Sequence, residues 1–421
     1  MTTYHIPQGP FTLHEHMYNT RTSAVFRVSD KNSNSFSLKV FSYLERLPFQ
    51  VKERQLEAFA NDRSIQQKLT ASLCPEILIK ASSEEPKDIV CDSHHVQLLL
   101  GVDVPVIDKD GNALKSELMK ISNSQGNESE RRIVFFANTL VPYMAGGRLG
   151  DIIDRKPEFK LMLHRYLVFT TLSGQLVQAV KFIHSKGIAH LSIDPSTVIC
   201  SNKDCSDVFL SDFGQGSTEA SIGSSQYATE LMQDSVRFRA FENEPSSDID
   251  TQAIEKLKKY QRDKPTWENA RKVDWFGLGG TLFYLVAGNR MYIDSLMLHS
   301  KSSRPLSNFI VDAMKLNKVA SKLKSDENTV SKIRHFVGDS LLLIDGLLTI
   351  DRTERISFDS DDGKKRMTSS LRASKAVMSA LELDDRKSAS CASFIQESGA
   401  LIPELRVDQN QRLPAFLREL C

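Results

Sequence analysis

The sequence predicts an α+β fold of two lobes, a small antiparallel β-sheet lobe with one main helix followed by a larger helical lobe. Period-two alternation of apolar residues, typical of strands, dominates residues 1–144. Helical periodicity dominates residues 145–362, and a further helical pattern marks residues 363–421 as a C-terminal extension. A chain of 421 residues is long enough for two modest lobes.

The β-rich lobe begins with two predicted strands, residues 24–28 (AVFRV) and 36–41 (FSLKVF). The main helix of this lobe is expected over residues 49–69. Its apolar residues recur at helical spacing: Leu56, Phe59, Ile65 and Leu69.

The same lobe continues with strand-like residues 96–106 and 132–144. Between them, residues 108–131 are polar and have few large apolar side chains. Such a composition favours a loop insertion over regular structure.

The helical lobe opens with a long amphipathic pattern. The predicted helices are residues 163–184, 273–286, 306–323 and 333–348, and the predicted short strands are 198–200 and 208–210. Residues 243–271 form an apparent insertion that carries a basic patch. Such a patch is usually a solvated surface, and docking of a partner is the alternative.

Composition narrows the function classes. Lys plus Arg total 54 against 53 Asp plus Glu, so charge gives no argument for a nucleic-acid partner. The six cysteines are scattered without a CxxC pair, which favours free thiols in a reducing compartment. We expect no transmembrane segment, and the N-terminus lacks a signal-peptide pattern. An intracellular protein is therefore expected, unless a leader was removed.

Three motifs stand in the order that phosphoryl transfer requires. Lys39 ends a strand-like FSLK, His190 opens the loop HLSIDPSTV, and Asp212 begins a D-F-G after a short strand. A lysine that clamps phosphates, a catalytic loop and a metal-binding D-F-G are the parts of a kinase site. Over about residues 10–360 the sequence resembles the protein kinase superfamily.

The resemblance implies structural roles for three further residues. Asp274, in DWFGLG, matches the buried residue that ties down the catalytic loop. Glu242, in AFE, matches the end of the activation segment, and Arg355 matches the arginine that pairs with it. The resemblance therefore implies a bilobal protein-kinase-like fold.

The catalytic loop has lost the residues that perform the chemistry. Compared with H-R-D-L-x-x-x-N, the base becomes Ser192 and the metal-binding Asn becomes Thr197. Asp194 replaces the usual phosphate-facing lysine and repels the transferring group. A serine hydroxyl cannot replace an ionised carboxylate as base. We therefore expect no catalytic residue.

The glycine-rich loop is also missing. Tyr18, Thr20 and Ser23 occupy its three glycine positions, and their side chains restrict the approach of backbone to phosphate. Together with the loss of base and metal ligand, this identifies the chain as a pseudokinase.

Two interpretations of the retained nucleotide-site residues stay open. Lys39 is expected to pair with Glu57, with Glu53 as the alternative, and Asp212 keeps the capacity to hold one metal ion. Either these residues retain weak binding of ATP with Mg²⁺ or Mn²⁺, or they persist as structural ion pairs. No cofactor is required.

An adenine slot of ordinary shape is compatible with the next segment of the chain. Val141, Tyr143 and Met144 lie in or near the stretch that corresponds to the hinge of a kinase. The resemblance implies that these residues would line the slot.

The degenerate loops and the insertion before the hinge resemble the apicomplexan rhoptry and dense-granule kinases, with the with-no-Gly-loop branch the most similar. This resemblance implies a secreted protein of the rhoptry, dense granule or parasitophorous vacuole. Its partner would be an active kinase or a host protein.

The leading hypothesis is a catalytically inactive scaffold or allosteric modulator. The alternative is an atypical phosphotransferase or nucleotidyl transferase that uses Asp212 and Asp194.

Overall fold

The computed structural model describes the sheet-rich and central helical parts of the chain. The described residues are 2–20, 23–44, 48–80, 88–107, 118–122, 128–155, 162–202, 205, 207–222, 266–287, 339–340, 342–344, 346–348, 353, 355–358, 360–366 and 368–369. Among them, no helix combines the length and apolar character needed to cross a membrane.

The elements follow the predicted order of a sheet first and helices later. The strands are β1 (Thr2–His5), β2 (Phe11–Asn19), β3 (Ser23–Ser29), β4 (Ser35–Leu44), β5 (Asp88–Cys91), β6 (Gly101–Val102), β7 (Val106–Ile107), β8 (Leu118–Ser122), β9 (Glu128–Pro142), β10 (Gly147–Arg148), β11 (Ile188–Ala189), β12 (Val198–Cys200), β13 (Val208–Leu210) and β14 (Ser217–Thr218). The helices are α1 (Phe49–Leu73), α2 (Pro75–Lys80), α3 (Leu149–Arg155), α4 (Met162–Ser185) and α5 (Trp267–Ala287).

The main sheet has the order β6-β9-β4-β3-β2-β7, with β8 paired to β9. All its pairs are antiparallel except β2 with β7. The two predicted strands at residues 24–28 and 36–41 are confirmed as β3 and β4. Lys39 lies opposite Val25 on one side and Thr139 on the other, and directly opposed residues share a face of the sheet. The sheet therefore presents Lys39 and Val25 to the same space.

Two predictions for this lobe are wrong in detail. Residues 96–106 do not form one strand, because Gln97 and Leu100 donate their backbone N–H groups to Leu210 and Leu140, which leaves only β6 and β7 as short strands. Part of the predicted loop at 108–131 is instead a β-ladder, since β8 pairs with β9 from Leu118↔Arg132 onwards. Its polar composition concealed the strand pairing.

The main helix is confirmed as α1, but its inward face is not the predicted one. The buried residues are Ala58, Asp62, Ile65, Gln66, Leu69 and Thr70. Leu56, which was assigned to the apolar stripe, is 44% exposed. Half of the inward face is polar, so apolar spacing alone places the face incorrectly.

The helical part agrees with the sequence where it is described. The patterns at 163–184 and 273–286 are confirmed as α4 and α5, and both predicted short strands are confirmed as β12 and β13. The predicted insertion at 243–271 extends too far, because α5 already begins at Trp267. These strands form one sheet in the order β10-β12-β13. The predicted helix at 306–323 lies outside the described residues. The pattern at 333–348 is described only from residue 339, and the C-terminal extension only in part up to residue 369.

A close contact joins α5 to the catalytic loop at Gly277. A Cβ built on this glycine would lie 2.6 Å from the carbonyl oxygen of Ile193 and 3.1 Å from its Cβ. Gly174, within α4, has no heavy atom within 4 Å of a Cβ built in the same way. The two helical glycines thus differ only in what lies beside them.

We therefore expect opposite effects from the same substitution at the two sites. Gly277→Ala should lower the free energy of unfolding by about 1–3 kcal/mol, because the methyl group displaces the loop backbone. Gly174→Ala should raise it by up to about 1 kcal/mol, because alanine is the better helix former. Denaturant unfolding of both variants measures the difference, and equal effects would refute the proposed contact.

Candidate nucleotide site and catalytic loop

Asp274 anchors the backbone of the catalytic loop through its carboxylate. Its Oδ2 accepts the backbone N–H of His190 at 2.8 Å, and its Oδ1 accepts that of Leu191 at 2.7 Å. The Nε2 of His184 also lies 2.8 Å from Oδ2. Leu191 has a φ of 59°, a left-handed conformation that side chains rarely adopt. The buried carboxylate therefore stabilises a strained turn, at the position where the kinase resemblance expects it.

His190 is a structural residue of the loop. Its Nε2 lies 2.9 Å from the carbonyl oxygen of Ser211, and its ring centroid lies 4.8 Å from that of Phe213. Burial lowers the pKa of His190, so the imidazole is neutral and its Nε2–H donates to Ser211. His190 thus ties the catalytic loop to the D-F-G segment.

The polar residues of the loop bond to the loop itself. The Oδ1 of Asp194 accepts the backbone N–H of Ser196 at 2.7 Å and also its hydroxyl. The hydroxyl of Thr197 accepts the Asp194 N–H at 3.1 Å and lies 3.1 Å from the carbonyl oxygen of Ser192. Ser192, at the position of the base, is 9% exposed. The contacts of Asp194 and Thr197 therefore maintain the local turn.

Asp62 is the acidic partner of Lys39, so the expected pairing with Glu57 is wrong. The Lys39 Nζ lies 3.7 Å from Asp62 Oδ2, and both side chains are buried. Glu57 and the alternative, Glu53, are both exposed. Five residues of helix rotate Glu57 by about 140° from Asp62, which places it on another face.

The same carboxylate also holds the D-F-G segment. Asp62 Oδ1 accepts the backbone N–H of Phe213 at 2.7 Å. The neighbouring Asn61 amide donates to the carbonyl oxygen of Gly214 at 3.2 Å and to that of Gly216. Asp212, with a φ of 65°, precedes the short 3-10 turn that these contacts hold. Helix α1 therefore bonds directly to the segment that carries Asp212.

The charges in this region are strongly coupled. Burial raises the pKa of Asp62, the Lys39 ammonium opposes that rise, and the nearby Asp212 carboxylate adds to it. Among the described residues, neither Lys39 Nζ nor Asp62 Oδ2 has a hydrogen-bond partner. The two side chains thus form a buried ion pair.

Tyr18, near the end of β2, is a buried residue of the sheet. The side chain is 7% exposed and belongs to one apolar cluster. The other buried members of this cluster, which we call the Tyr18 cluster, are Val25, Met144, Ile199 and Phe209. Burial raises the pKa of Tyr18, and the charge of Asp212 raises it further. The Tyr18 cluster therefore joins β2 and β3 to β12 and β13.

Arg148 contacts the end of β2, next to Tyr18. Its guanidinium donates to the carbonyl oxygen of Asn19 at 2.7 Å and to the Asp151 carboxylate at 2.8 and 3.0 Å. The same guanidinium carbon lies 5.5 Å from the centroid of the Tyr18 ring, within the range of a cation–π contact. Arg148 thus joins the end of β2 to the start of α3.

The three residues expected to line an adenine slot make contacts within the protein. Val141 is buried opposite Ser37, and Met144 packs in the Tyr18 cluster. Tyr143 instead lies with its ring 5.5 Å from the Arg27 guanidinium. Within the described ranges, no group of three His, Cys, Asp or Glu side chains is placed to hold a metal ion.

Arg355 lies against α5. It donates to the carbonyl oxygen of Lys272 at 2.7 Å, and its guanidinium lies 4.6 Å from the centroid of the Phe276 ring. Its expected partner, Glu242, lies outside the described residues. The pairing of Arg355 with Glu242 therefore stays a prediction.

Sequence reasoning missed three residues of this site. Asp62 was detectable as an acidic residue in phase with Ala58 and Ile65 on one helix face. Tyr18 has a sequence signal as a lost glycine but none as a buried member of an apolar cluster. No sequence pattern indicated that Arg148 contacts β2, because the contact joins segments 129 residues apart.

Comparison with known proteins gives a partial match. No family profile matches the chain. A Saccharomyces cerevisiae protein named "Probable serine/threonine-protein kinase FMP48" is 29% identical over 141 residues, which is 32% of this chain and 33% of that protein. The match thus spans a third of the curated relative.

Solved structures give a broader but more distant likeness. The ROP18 kinase domain in complex with AMP-PNP and sucrose is 16% identical, with 87% of this chain and 82% of that chain covered and a TM-score of 0.45. ROP2 from Toxoplasma gondii, described as a virulence factor with a protein-kinase fold and no enzymatic activity, is 13% identical, with 87% and 83% covered and a TM-score of 0.45.

The fold of this chain is protein-kinase-like. Its own geometry carries that assignment: a sheet lysine paired with a helix carboxylate, a D-F-G turn, and a catalytic loop held by Asp274. These are the features that the ordered motifs predict.

Loss of the Asp62 carboxylate should destabilise the protein strongly. Asp62→Ala leaves the Lys39 ammonium and the Phe213 N–H buried without their partner, at a cost of about 3–5 kcal/mol in the free energy of unfolding. Asp62→Asn, which keeps an oxygen acceptor, should have a smaller effect. Chemical denaturation at neutral pH measures both variants.

Glu57→Ala is the matched control on the same helix. Because Glu57 is exposed, its loss should change the free energy of unfolding by no more than about 0.5 kcal/mol. If Glu57→Ala were as destabilising as Asp62→Ala, the assignment of the Lys39 partner would be wrong.

Proposed function

We propose that this chain is a pseudokinase, a kinase-like body that binds a protein partner and does not transfer phosphate. The observation that carries the proposal is the catalytic loop, where Ser192 stands at the position of the base. The nearest candidate substitute, Asp194, accepts two hydrogen bonds from Ser196 within the loop. A neutral hydroxyl does not take a proton from an acceptor alcohol at neutral pH.

The Tyr18 cluster supports the same proposal, because we infer that the Tyr18 side chain occupies space that an adenosine would need. A nucleotide would have to displace the buried Tyr18 side chain from Val25, Met144 and Ile199. It would also have to break the hydrogen bond from Arg148 to the carbonyl oxygen of Asn19 at the end of β2. We infer that ATP, with Mg²⁺ or Mn²⁺, does not bind while Tyr18 stays in its cluster.

The rival hypothesis is an atypical phosphotransferase or nucleotidyl transferase that uses Asp212 and Asp194. It would require the Asp194 carboxylate to leave the Ser196 N–H, and Tyr18 to leave the cleft. The Asp62 carboxylate near the D-F-G turn is already engaged by the Phe213 N–H and by Lys39. The contacts therefore favour the pseudokinase.

The partner and the compartment are further parts of the proposal. The resemblance to rhoptry and dense-granule kinases supports a secreted chain that binds a host protein or modulates an active kinase. We propose the activation segment and the insertion at 243–271 as docking elements. Of these, only residues 212–222 and 266–271 are among the described residues.

Removal of the Tyr18 side chain should allow ATP to bind, whereas we expect the unaltered chain not to bind it. We expect no rise in the melting temperature of the unaltered chain with ATP and Mg²⁺. Tyr18→Ala should show a rise that depends on ATP concentration, since a ligand at 100 times its Kd stabilises the folded state by about 2.7 kcal/mol. Thermal-shift titration measures this relative to each variant's own ligand-free melting temperature.

Tyr143→Ala controls for the loss of an aromatic side chain near the cleft. Tyr143 contacts Arg27 and is outside the Tyr18 cluster, so this variant should stay unresponsive to ATP. An equal ATP response in the unaltered chain and in Tyr18→Ala would contradict the inference that Tyr18 occupies the space of an adenosine.

A further inference from the structure

Four of the six cysteines lie in the described part of the chain, and they form two close pairs. The Sγ atoms of Cys200 and Cys205 are 3.0 Å apart, and both residues are buried. Cys74 and Cys91 belong to one core cluster, and the Cys74 thiol contributes to the raised pKa of Cys91. All four are free thiols in the structure, as the sequence predicts.

The Cys200–Cys205 pair is close to bonding geometry. A disulfide has a sulfur–sulfur distance of about 2.05 Å, so these sulfurs need to approach by about 1 Å. Small rotations of the two side chains are enough for such a change. Cys200 ends β12 and Cys205 follows in the next loop, so the bond would close a short loop.

This loop supports the linker between the sheet and the helical part. Cys200 lies opposite Gly147 in the β10–β12 ladder, and Ala145 donates its N–H to the carbonyl oxygen of Ser201 at 3.0 Å. A Cβ on Gly146 would lie 2.7 Å from the Cβ of Cys200. A bond at Cys200 would therefore stabilise the surface on which the linker rests.

The second pair joins α1 to a small sheet. Cys74 follows the last residue of α1, and Cys91 ends β5, where it lies opposite Thr2 of β1. A bond between them would fix the end of the helix that carries Asp62. The Cys74–Cys91 pair thus joins α1 to β5, whereas the Cys200–Cys205 pair closes the loop after β12.

We propose that Cys200–Cys205 and Cys74–Cys91 are disulfide sites, which close when the chain folds in an oxidising compartment. In each site two S–H bonds break and one S–S bond forms, with the loss of two protons and two electrons. A disulfide oxidant, such as oxidised glutathione or a protein disulfide, accepts them and becomes two thiols. This proposal does not depend on whether the chain is a pseudokinase.

The timing of oxidation follows from burial. Burial, aided by the Cys74 thiol, raises the pKa of Cys91 to about 12, which leaves almost no thiolate at neutral pH. Because the thiolate is the attacking species, exchange is slow once this pair is buried. The bond should therefore form during folding and then resist mild reductants.

The test is a disulfide map of the full chain, refolded either in a glutathione redox buffer or in excess dithiothreitol. After alkylation under denaturing conditions, the oxidised sample should give peptides linked through Cys74–Cys91 and Cys200–Cys205, with Cys391 and Cys421 alkylated. Its melting temperature should exceed that of the reduced sample by several degrees. Six alkylated cysteines in a folded oxidised sample, or linkage between the two pairs, would overturn the proposal.

Single and double variants separate a bond from ordinary packing. In the oxidised chain, Cys200→Ser, Cys205→Ser and the double variant should lower the melting temperature equally, because each removes the whole bond. Additive losses would argue for packing alone. Cys421→Ser is the control and should leave both linked peptides in place. If the core variants do not fold, the map of the unaltered chain still decides.

Discussion

The carboxylate of Asp62 joins three parts of the protein that are distant in sequence. One oxygen lies beside the Lys39 ammonium of the sheet, and the other accepts the Phe213 N–H of the D-F-G segment. Its own helix supplies the third part. A buried charge of this kind is stable only while its partners stay in place. The position of α1 therefore determines how the sheet and the D-F-G turn meet.

The rest of the cleft follows from that arrangement. With α1 bonded to the D-F-G turn, Asp212 lies close enough to raise the pKa of both Asp62 and Tyr18. Tyr18 packs in its apolar cluster near the end of β2, and Arg148 donates a hydrogen bond to Asn19 of the same strand. The contacts that anchor the catalytic loop and the D-F-G turn are retained.

The sequence allowed the order of elements and the anchoring residues to be predicted, because these depend on local patterns. The alternation in β3 and β4, the long periodicity of α4, and the DWFGLG motif around Asp274 all had local signals. The partner of Lys39 did not, since the inward face of α1 is half polar and apolar spacing pointed elsewhere. The role of Tyr18 also had no local signal, because it depends on contacts with residues up to 191 positions away.

The central claim is that this fold recognises other molecules and does not react. The most direct test is the transfer of labelled γ-phosphate from ATP by the unaltered chain, at stoichiometric concentration and with Mg²⁺ or Mn²⁺. The account predicts no label on the chain, or on a generic protein acceptor, above the background of Asp212→Ala. Transfer by the unaltered chain that Asp212→Ala abolishes would contradict it.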